Sequence, residues 1–428
     1  MERTTFLDNM IHRDQKYIWH PLTQHKTAAP PLPIVKAQGA LFWDDKGKAY
    51  VDGIASWYTA MYGHAHPHIV EAMHQQLQQL DFVMFSGFTH QPAVNLAERL
   101  LSLLPENQAK VFFNDNGSTA IEAAIKMAIQ YHHNKGEVRD TLIAFEDGFH
   151  GDTFGAMSAS GISSYNGPFK DFLLKVVRVP VPTVENRNAV LTQLEELISK
   201  HRCAAFVFEP LVQGAAGMKF HTAEGLDAMI EICQKSDVLC VGDEIMTGFG
   251  KTGTIFASDQ LQNSPDILCL SKALTAGMFP LSITSCSEKV YEAFLSDEVA
   301  KGFFHAHTYS AHPVGCAAAL AGLDLLQSDE ISERRTVIAE QHLQFVKRIA
   351  GNPLVGEVRN KGVILAMDLK VKTNRYGSLR DTLYNYFMKR GVNLRPLGNT
   401  IYTLPPYIIT DEQLAQIHHV MEDVLEIL

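Results

Sequence analysis

The sequence predicts an α/β fold in which a mainly parallel, doubly wound sheet forms a large domain. Between residues 55 and 327, short apolar runs of strand length alternate with amphipathic stretches of helical period, which is typical of parallel sheets covered by helices. Charged or polar residues follow several of these runs, as they do where strands end at a ligand-binding crevice. Residues 328–428 change to a mixed pattern that predicts a smaller α+β domain.

Residues 1–54 form a Pro-rich segment that predicts an arm belonging to the small domain. Within it, two strands are predicted at Ala40–Trp43 and Ala49–Val51, with a hairpin turn at Asp45–Gly47. We expect the rest of this segment to be irregular.

The large domain contains apolar runs of the length that buried strands require. They lie at Lys110–Phe113, Thr141–Phe145, Ala204–Phe208, Val238–Val241, Ile267–Leu270 and Leu281–Ser285, with a helix at Glu224–Lys235 between two of them. In the C-terminal segment, the pattern predicts helices at Ile331–Ile349, Leu379–Arg390 and from Asp411, and strands at Val363–Leu369, Asn393–Arg395 and Thr400–Leu404.

The composition favours a protein that acts on small molecules. The 428-residue chain has a formal net charge of −10, and the absence of a basic excess argues against nucleic-acid binding. Its sequence contains neither a membrane-spanning apolar stretch nor a signal-peptide core, so we expect a soluble, cytoplasmic protein. The six cysteines lack CxxC spacing and favour buried free thiols, and the histidines lack metal-ligand spacing, so we expect no metal site.

Two charged residues carry the functional prediction. Asp243 and Lys272 each follow a buried-strand run, so both should reach the crevice outside the carboxyl ends of the strands. Such a pair suits pyridoxal phosphate, which needs an acid beside its pyridinium nitrogen and a lysine that forms a Schiff base. Taken alone, however, the pair would be explained better as an ordinary ion pair at the sheet rim.

Three other strand ends carry residues that suit the same cofactor. Gly117 and Ser118 begin a helix, where free N–H groups, a hydroxyl and close backbone approach suit a phosphate. Phe149 is placed to lie on the face of a planar ring, and Glu209 adds an acid to the crevice. Taken singly, Ser118 could be an ordinary helix cap and Phe149 an aromatic residue at the rim of the core. We do not expect all five strand ends to carry residues that suit this cofactor by chance.

Several motifs resemble those of class III, or ω-, aminotransferases, which have the pyridoxal-phosphate fold type I. Residues 243–253 read DEIMTGFGKTG and are followed by PDIL at 265–268 and SKALT at 271–275. Matching segments extend from IWHP at 18–21 to LPPYII at 404–409, nearly end to end. The resemblance implies a pyridoxal-phosphate-dependent aminotransferase that forms a homodimer with shared active sites.

The same resemblance assigns roles to individual positions. Lys272 and Asp243 are implied to be catalytic, and Thr308 to reach the phosphate bound by the neighbouring subunit. The implied cofactor-binding residues are Gly117, Ser118, Phe149, Glu209, Asp243, Ile245, Lys272, His307 and Thr308.

Within the family, the chain most resembles members that convert 7-keto-8-aminopelargonate to 7,8-diaminopelargonate in biotin synthesis, usually with S-adenosylmethionine as amino donor. Arg395 matches the arginine that holds the substrate carboxylate, a bidentate task that suits a guanidinium. The implied substrate-binding residues are Leu22, Trp57, Tyr58, Asp152, Ala306, Arg395 and Tyr402. The chain departs from the usual motifs in that Leu22 and Phe149 replace tyrosines, Tyr58 replaces a tryptophan and Lys251 replaces an arginine.

Two alternatives remain open. Another ω-aminotransferase, with a diamine, lysine or a β-amino acid as donor, would need the same cofactor residues. A pyridoxal-phosphate-binding protein without catalysis is the second alternative, and the presence of both Asp243 and Lys272 argues against it.

Overall fold

The computed structural model describes residues 2–162 and 166–427 of the chain. Its strands are β1 Ile34–Gln38, β2 Leu41–Asp44, β3 Ala49–Asp52, β4 Gln108–Asn114, β5 Thr141–Phe145, β6 Val176–Val179, β7 Cys203–Phe208, β8 Val212–Gln213, β9 Lys219–Phe220, β10 Leu239–Asp243, β11 Ile267–Leu270, β12 Ser282–Ser287, β13 Val355–Lys361, β14 Ile364–Leu369, β15 Val392–Asn393 and β16 Thr400–Thr403. Its right-handed α-helices are α1 Glu2–Tyr17, α2 Pro67–Gln79, α3 Gln91–Leu101, α4 Gly117–Asn134, α5 Phe154–Ala159, α6 Arg187–Lys200, α7 Ala223–Lys235, α8 Glu288–Glu292, α9 Pro313–Leu326, α10 Asp329–Ile349, α11 Ser378–Lys389 and α12 Asp411–Asp423.

A seven-stranded sheet with the order β4-β12-β11-β10-β7-β5-β6 forms the centre of the molecule. Only β12 runs antiparallel to its neighbours, β11 and β4, whereas the other pairs are parallel. The predicted mainly parallel, doubly wound sheet is therefore confirmed. Strands such as β7 and β10 are buried along their whole length, which explains why they read as continuous apolar runs.

Helices cover both faces of this sheet. On one face, Ile121 and Ala124 of α4 belong to the same apolar cluster as Val241 of β10. On the other face, Met229 of α7 packs in a cluster with Phe206 of β7. All six cysteines are buried and unpaired, as predicted.

The two ends of the chain meet in a second sheet, with the order β1-β2-β3-β15. Strand β15 pairs in parallel with β3, so that Asn393 lies opposite Asp52. A third sheet, β13-β14-β16, is antiparallel throughout. Segments far apart in sequence are thereby held beside the ends of the central strands.

Some expectations for secondary structure were wrong. Residues 1–54 are not irregular outside the hairpin, because they include helix α1 and strand β1. Helix α1 reads ERTTFLDNMIHRDQKY, which has too few apolar residues to produce a helical stripe. Strand β13 was also missed because its sequence, VGEVRNK, is polar and mostly outside the core. None of the helices in the described residues is sufficiently long and apolar to span a bilayer.

Candidate active site

Three acidic or basic residues lie where neighbouring central strands end. Asp243 is the last residue of β10, Glu209 follows β7 directly, and Lys272 lies two residues after β11. Because β11, β10 and β7 are adjacent and parallel, their carboxyl ends bring these residues to one edge of the sheet. The sequence placed all three correctly at strand ends, although the strand of Asp243 extends to include it.

Asp243 is fixed by two hydrogen bonds. His150 Nδ1 lies 2.7 Å from its Oδ2, and the backbone N–H of Ile245 donates to Oδ1 at 3.1 Å. Because a carboxylate can only accept, Nδ1 of His150 carries the proton. His150 was not singled out from the sequence, although it follows Phe149 directly, and its buried Nε2 has no hydrogen-bond partner among the described residues.

Glu209 joins two loops, one that follows β5 and one that follows β8. Its carboxylate accepts hydrogen bonds from the N–H groups of Phe149 and Gly214, each at 3.0 Å. Burial raises its pKa to about 7, with His150 opposing and Asp243 adding to the rise. Glu209 therefore positions the loop that carries Phe149.

Lys272 has a left-handed backbone with a φ of 46°, a conformation that costs a non-glycine residue energy and clusters at functional sites. Burial lowers the pKa of its amine, while the nearby Asp243 and Glu209 oppose this change. Its Nζ lies 5.9 Å from the centre of the Tyr58 ring. The lysine thus enters a poorly solvated space between the acids and an aromatic ring.

The start of α4 presents free backbone N–H groups, which suit an anion. Its first N–H groups, at Gly117 and Ser118, have no partners within the helix, and Ser118 Oγ accepts from the N–H of Asp152 at 3.2 Å. A Cβ at Gly117 would lie only 3.0 Å from Ile245 Cδ1, and one at Gly151 would clash with Ser118. The chain therefore approaches this helix start too closely for larger residues.

A segment that follows α8 reaches the same helix start. His307 Nε2 lies 3.0 Å from an oxygen of Asp115, and its Nδ1 accepts from the N–H of Tyr309 at 3.1 Å. His307 is thus held beside the first turn of α4. Its neighbours Ala306 and Thr308 are exposed.

Across the crevice, aromatic residues surround Arg395. The guanidinium carbon lies 5.4 Å from the centre of the Trp57 ring and 5.7 Å from that of Tyr384. Tyr384, on α11, was not predicted from the sequence. Arg395 is exposed and belongs to none of the ion pairs formed by the described residues, so its guanidinium is available to a carboxylate.

Tyr58 and Tyr402 form a buried pair next to this arginine. The Tyr58 hydroxyl donates to that of Tyr402 at 2.8 Å. Burial raises the pKa of Tyr402 to about 12 and that of Tyr58 well above its usual range. Both hydroxyls therefore stay neutral near pH 7.

Trp57 and Tyr58 lie in a turn whose backbone the sequence did not reveal. Residues Ala55, Ser56, Trp57 and Tyr58 are all left-handed, with φ values of 45°, 45°, 67° and 70°. This conformation costs about 1–2 kcal/mol per residue for side chains larger than hydrogen. The turn keeps this conformation only where contacts with the surrounding structure stabilise it.

Two predicted substrate-binding residues are less enclosed. Leu22 lies in the N-terminal segment with a φ of 51° and is 58% exposed. Asp152 is also exposed, although its backbone is bound to Ser118. A complete pocket would need further surfaces around these two positions.

A second titratable cluster, formed by His132, Glu137 and Asp237, has spacing suitable for a metal. Arg139 pairs with Glu137 at 2.9 Å, and Lys135 pairs with Asp237 at 2.7 Å. These cations already neutralise the carboxylates. The cluster lies near the start of β7, at the opposite edge of the sheet from Asp243.

Comparisons with known proteins agree with this geometry. The chain matches the family model Aminotransferase class-III over residues 22–425. It is 41% identical over 419 residues to an adenosylmethionine-8-amino-7-oxononanoate aminotransferase from Synechococcus elongatus, covering 96% of this chain and 98% of the relative.

Solved structures are similar over nearly the whole chain. The adenosylmethionine-8-amino-7-oxononanoate aminotransferase from Methanocaldococcus jannaschii has a TM-score of 0.93 and 30% identity, with 98% of this chain and 99% of that chain covered. An amine transaminase from an uncultivated Pseudomonas species, solved with pyridoxal phosphate bound, has a TM-score of 0.89 and 30% identity, with 95% and 97% covered.

Proposed function

The chain belongs to the class III aminotransferase family, and we propose that it transfers an amino group to the keto group of 7-keto-8-aminopelargonate, giving 7,8-diaminopelargonate for biotin synthesis. This keto acid is the 8-amino-7-oxononanoate named for the relatives from Synechococcus elongatus and Methanocaldococcus jannaschii. The observation that carries the proposal is the exposed Arg395 beside Trp57, because this guanidinium can bind the carboxylate of the acceptor.

Pyridoxal phosphate is the cofactor, and the residues present fit it. Asp243 would face the pyridinium nitrogen, and the N-terminus of α4 with Ser118 would hold the phosphate. The glycine at 117 lets Ile245 pack directly against this helix start, because a Cβ there would lie 3.0 Å from Ile245 Cδ1. When bound, the cofactor withdraws electrons from the carbon that loses a proton and stores the amino group between the two substrates.

Lys272 is the proposed catalytic base. Because burial lowers the pKa of its amine, the neutral form is easier to reach and can take a proton from the donor carbon. Asp243 is held in place by His150 at 2.7 Å, so its negative charge stays directed at one position. In this proposal, Phe149 and Ile245 keep water from the two faces of the ring.

The proposed substrate-binding residues contact different groups of the substrates. Arg395 binds the acceptor carboxylate, with Trp57 stacked against the guanidinium, while the neutral hydroxyls of Tyr58 and Tyr402 contact polar groups nearer Lys272. Leu22, Asp152 and Ala306 would complete the pocket. Residues 55–327 form the proposed cofactor domain, and residues 1–54 with 328–428 form the small domain.

S-Adenosylmethionine is the proposed amino donor, because the curated relative from Synechococcus elongatus is named for it. The substitutions at Leu22, Tyr58 and Phe149 then alter the shape of the pocket without changing the donor. A cytoplasmic location is part of the same proposal.

We further propose a homodimer in which Thr308 and His307 contribute to the partner's phosphate site. Large apolar side chains are exposed at several positions, including Phe88 at 54% and, in the segment that carries Thr308, Phe304 at 73% and Tyr309 at 56%, as expected where a second copy packs. Mixing Lys272→Ala with Thr308→Ala protein and refolding them together should restore activity at limiting cofactor, since one site of each mixed dimer is intact. Activity no higher than that of the separate variants would contradict shared sites.

The deciding experiment incubates the purified enzyme, loaded with pyridoxal phosphate, with 7-keto-8-aminopelargonate and one donor at a time. We expect 7,8-diaminopelargonate, detected by mass spectrometry, with S-adenosylmethionine. Product with lysine but not with S-adenosylmethionine would preserve the reaction and overturn the donor. No product with any donor would refute the acceptor.

The second candidate is an amine transaminase with a different acceptor, favoured by the structural similarity to the amine transaminase from Pseudomonas. Pyruvate with 1-phenylethylamine tests it directly. Rapid turnover of this pair, without turnover of 7-keto-8-aminopelargonate, would establish the alternative.

A further inference from the structure

Asp52, the last residue of β3, is a fully buried carboxylate with no role in the chemistry described above. One oxygen accepts from Ser56 Oγ at 2.8 Å and from His64 Nε2 at 3.0 Å. The other accepts from Asn393 Nδ2 at 3.1 Å and from the N–H of Ile54 at 3.4 Å. A buried carboxylate with this many donors holds several segments at once.

The first of these segments is the left-handed turn at Ala55–Tyr58. Four successive left-handed residues are unfavourable on their own and need external contacts to persist. Asp52 bonds the residue before the turn, Ile54, and the second residue within it, Ser56. The carboxylate therefore fixes the backbone that carries Trp57.

The second segment is β15, which carries Asn393 and leads to Arg395. Asn393 lies opposite Asp52 in the parallel pairing of β15 with β3. The N–H of Gly53 donates to the carbonyl of Asn393 at 3.1 Å, and a Cβ at Gly53 would lie 2.7 Å from Leu394. Arg395 therefore lies two residues after Asn393, which is bound by the Asp52 side chain and by the adjacent backbone of Gly53.

We propose that Asp52 is a positioning residue that fixes Trp57 relative to Arg395 and thereby sets the geometry in which the substrate carboxylate is bound. The inference rests on the proposed function for the identity of the substrate. The positional part depends only on the contacts of Asp52 and can be measured without any substrate.

The first test uses the three tryptophans of the chain as reporters. The holoenzyme is labelled with 5-fluorotryptophan, and the ¹⁹F signal of Trp57 is assigned with Trp57→Phe. In Asp52→Ala and Ser56→Ala, we expect the Trp57 signal to shift or broaden while the Trp43 signal stays in place. An unchanged Trp57 signal in both variants would overturn the proposal.

Asp44 provides a matched control on the neighbouring strand β2. It is also buried, and it accepts hydrogen bonds from the N–H groups of Lys46 and Lys48 and from the Tyr50 hydroxyl, away from the turn. Asp44→Ala should therefore move the signal of the adjacent Trp43 and leave that of Trp57 unchanged. An equal effect of Asp44→Ala on Trp57 would show general loosening of the sheet and overturn the proposal.

The second test is kinetic and uses the acceptor. Because the proposed function has the substrate carboxylate bound by Arg395 beside Trp57, Asp52→Ala should raise the KM for 7-keto-8-aminopelargonate about tenfold or more, with a smaller change in kcat. Ser56→Ala, which removes one hydroxyl and leaves the carboxylate, should show part of this KM increase if Asp52→Ala does not fold.

The effects of Asp52→Ala and Ser56→Ala should also be non-additive, because they remove the same hydrogen bond. Full additivity in KM would contradict action through Ser56. If the wild-type enzyme does not use this acceptor, the proposed function fails, and the ¹⁹F experiment still decides the positional claim.

Discussion

The two walls of the crevice are built in different ways. The proposed cofactor wall is formed by Asp243, Glu209, Lys272 and the start of α4, which lie at or just after the ends of central strands or begin the helix that follows β4. The substrate wall, formed by the turn at 55–58, Tyr402 and Arg395, consists of short segments contributed by both ends of the chain. The first wall takes its geometry mainly from strand pairing, with Lys272 as its one left-handed residue, whereas the second depends on individual hydrogen bonds and on four successive left-handed residues.

Under the proposed function, this difference separates the residues of the chemical step from those that recognise the substrate. The ends of β7, β10 and β11 cannot move independently because each strand is paired along its length. The substrate wall can change by single substitutions, and Tyr58 within it departs from the usual family motif, as Leu22, Phe149 and Lys251 do elsewhere in the chain. We therefore expect mutations in the first wall to reduce the chemical step and those in the second to change substrate affinity.

The largest effect should come from Lys272→Ala. If Lys272 is the base, as proposed, turnover should fall about 10²- to 10⁴-fold, whereas the proposed contacts of Asp243 and α4 with the cofactor are retained. The measurement is the steady-state rate together with the absorbance of bound cofactor, which should lose the band due to attachment to lysine. Lys200→Ala, which removes a surface pair with Glu196, should leave both unchanged; substantial activity in Lys272→Ala would remove the lysine from the mechanism.

The substrate wall should respond most strongly to Arg395→Leu. Loss of charge-assisted hydrogen bonds worth about 1.5–3 kcal/mol should raise the KM for 7-keto-8-aminopelargonate roughly 10- to 100-fold, with kcat within about threefold. The control is Arg390→Leu, whose guanidinium stacks on Tyr386 instead. Equal losses in kcat and kcat/KM would mean that Arg395 acts mainly in the transition state.

Tyr58→Phe should have a smaller effect on the same wall. It removes the hydrogen bond to Tyr402, worth about 0.5–1.5 kcal/mol, and should change the KM for one substrate about two- to tenfold. Measuring both half-reactions shows whether donor or acceptor uses this hydroxyl. Tyr50→Phe removes a comparable buried hydrogen bond, to Asp44, and should affect stability alone; identical KM values in Tyr58→Phe and wild type would exclude the hydroxyl pair from recognition.

The smallest expected effect is on thermal stability, and it comes from Lys251 in the loop that follows β10. Burial lowers the pKa of Lys251 to about 7, with Lys272 adding to the change and Glu244 opposing it. In the unfolded chain this lysine keeps its proton up to about pH 10.5. Burial of the charged amine therefore lowers the free energy of unfolding by its full amount below pH 7, and this loss disappears as the pH rises from 7 to 10.5.

Lys251→Met should remove this pH dependence. The variant should have a higher thermal midpoint than wild type by about a few degrees at or below pH 7. This difference between variant and wild type should decline toward pH 10. The amine can donate to the Gly248 carbonyl in either protonation state, so the loss of this hydrogen bond lowers the midpoint of the variant at every pH. A midpoint difference that stays constant with pH would contradict the lowered pKa.

The sequence predicted one wall better than the other. Strand ends can be recognised from apolar runs, and parallel strands end at one edge, so Asp243, Glu209 and Lys272 could be placed together from the sequence alone. His150 gave no such signal, because its role arises from a contact with Asp243 across 93 positions. Tyr384 was missed for a similar reason, since it faces Arg395 from a helix whose pattern shows only amphipathic packing.

By itself, the sequence determined the class of fold, the family and the acid and lysine of the cofactor wall, because these depend on local periodicity and on motifs of adjacent residues. Only the tertiary structure decided how the substrate wall is assembled. The hydrogen bond between Asp52 and Asn393 joins segments that are 341 positions apart, and it lies next to the left-handed turn at 55–58. No local pattern encodes such a contact, since the turn is unfavourable for its own residues and is stabilised by partners brought near only when the chain has folded.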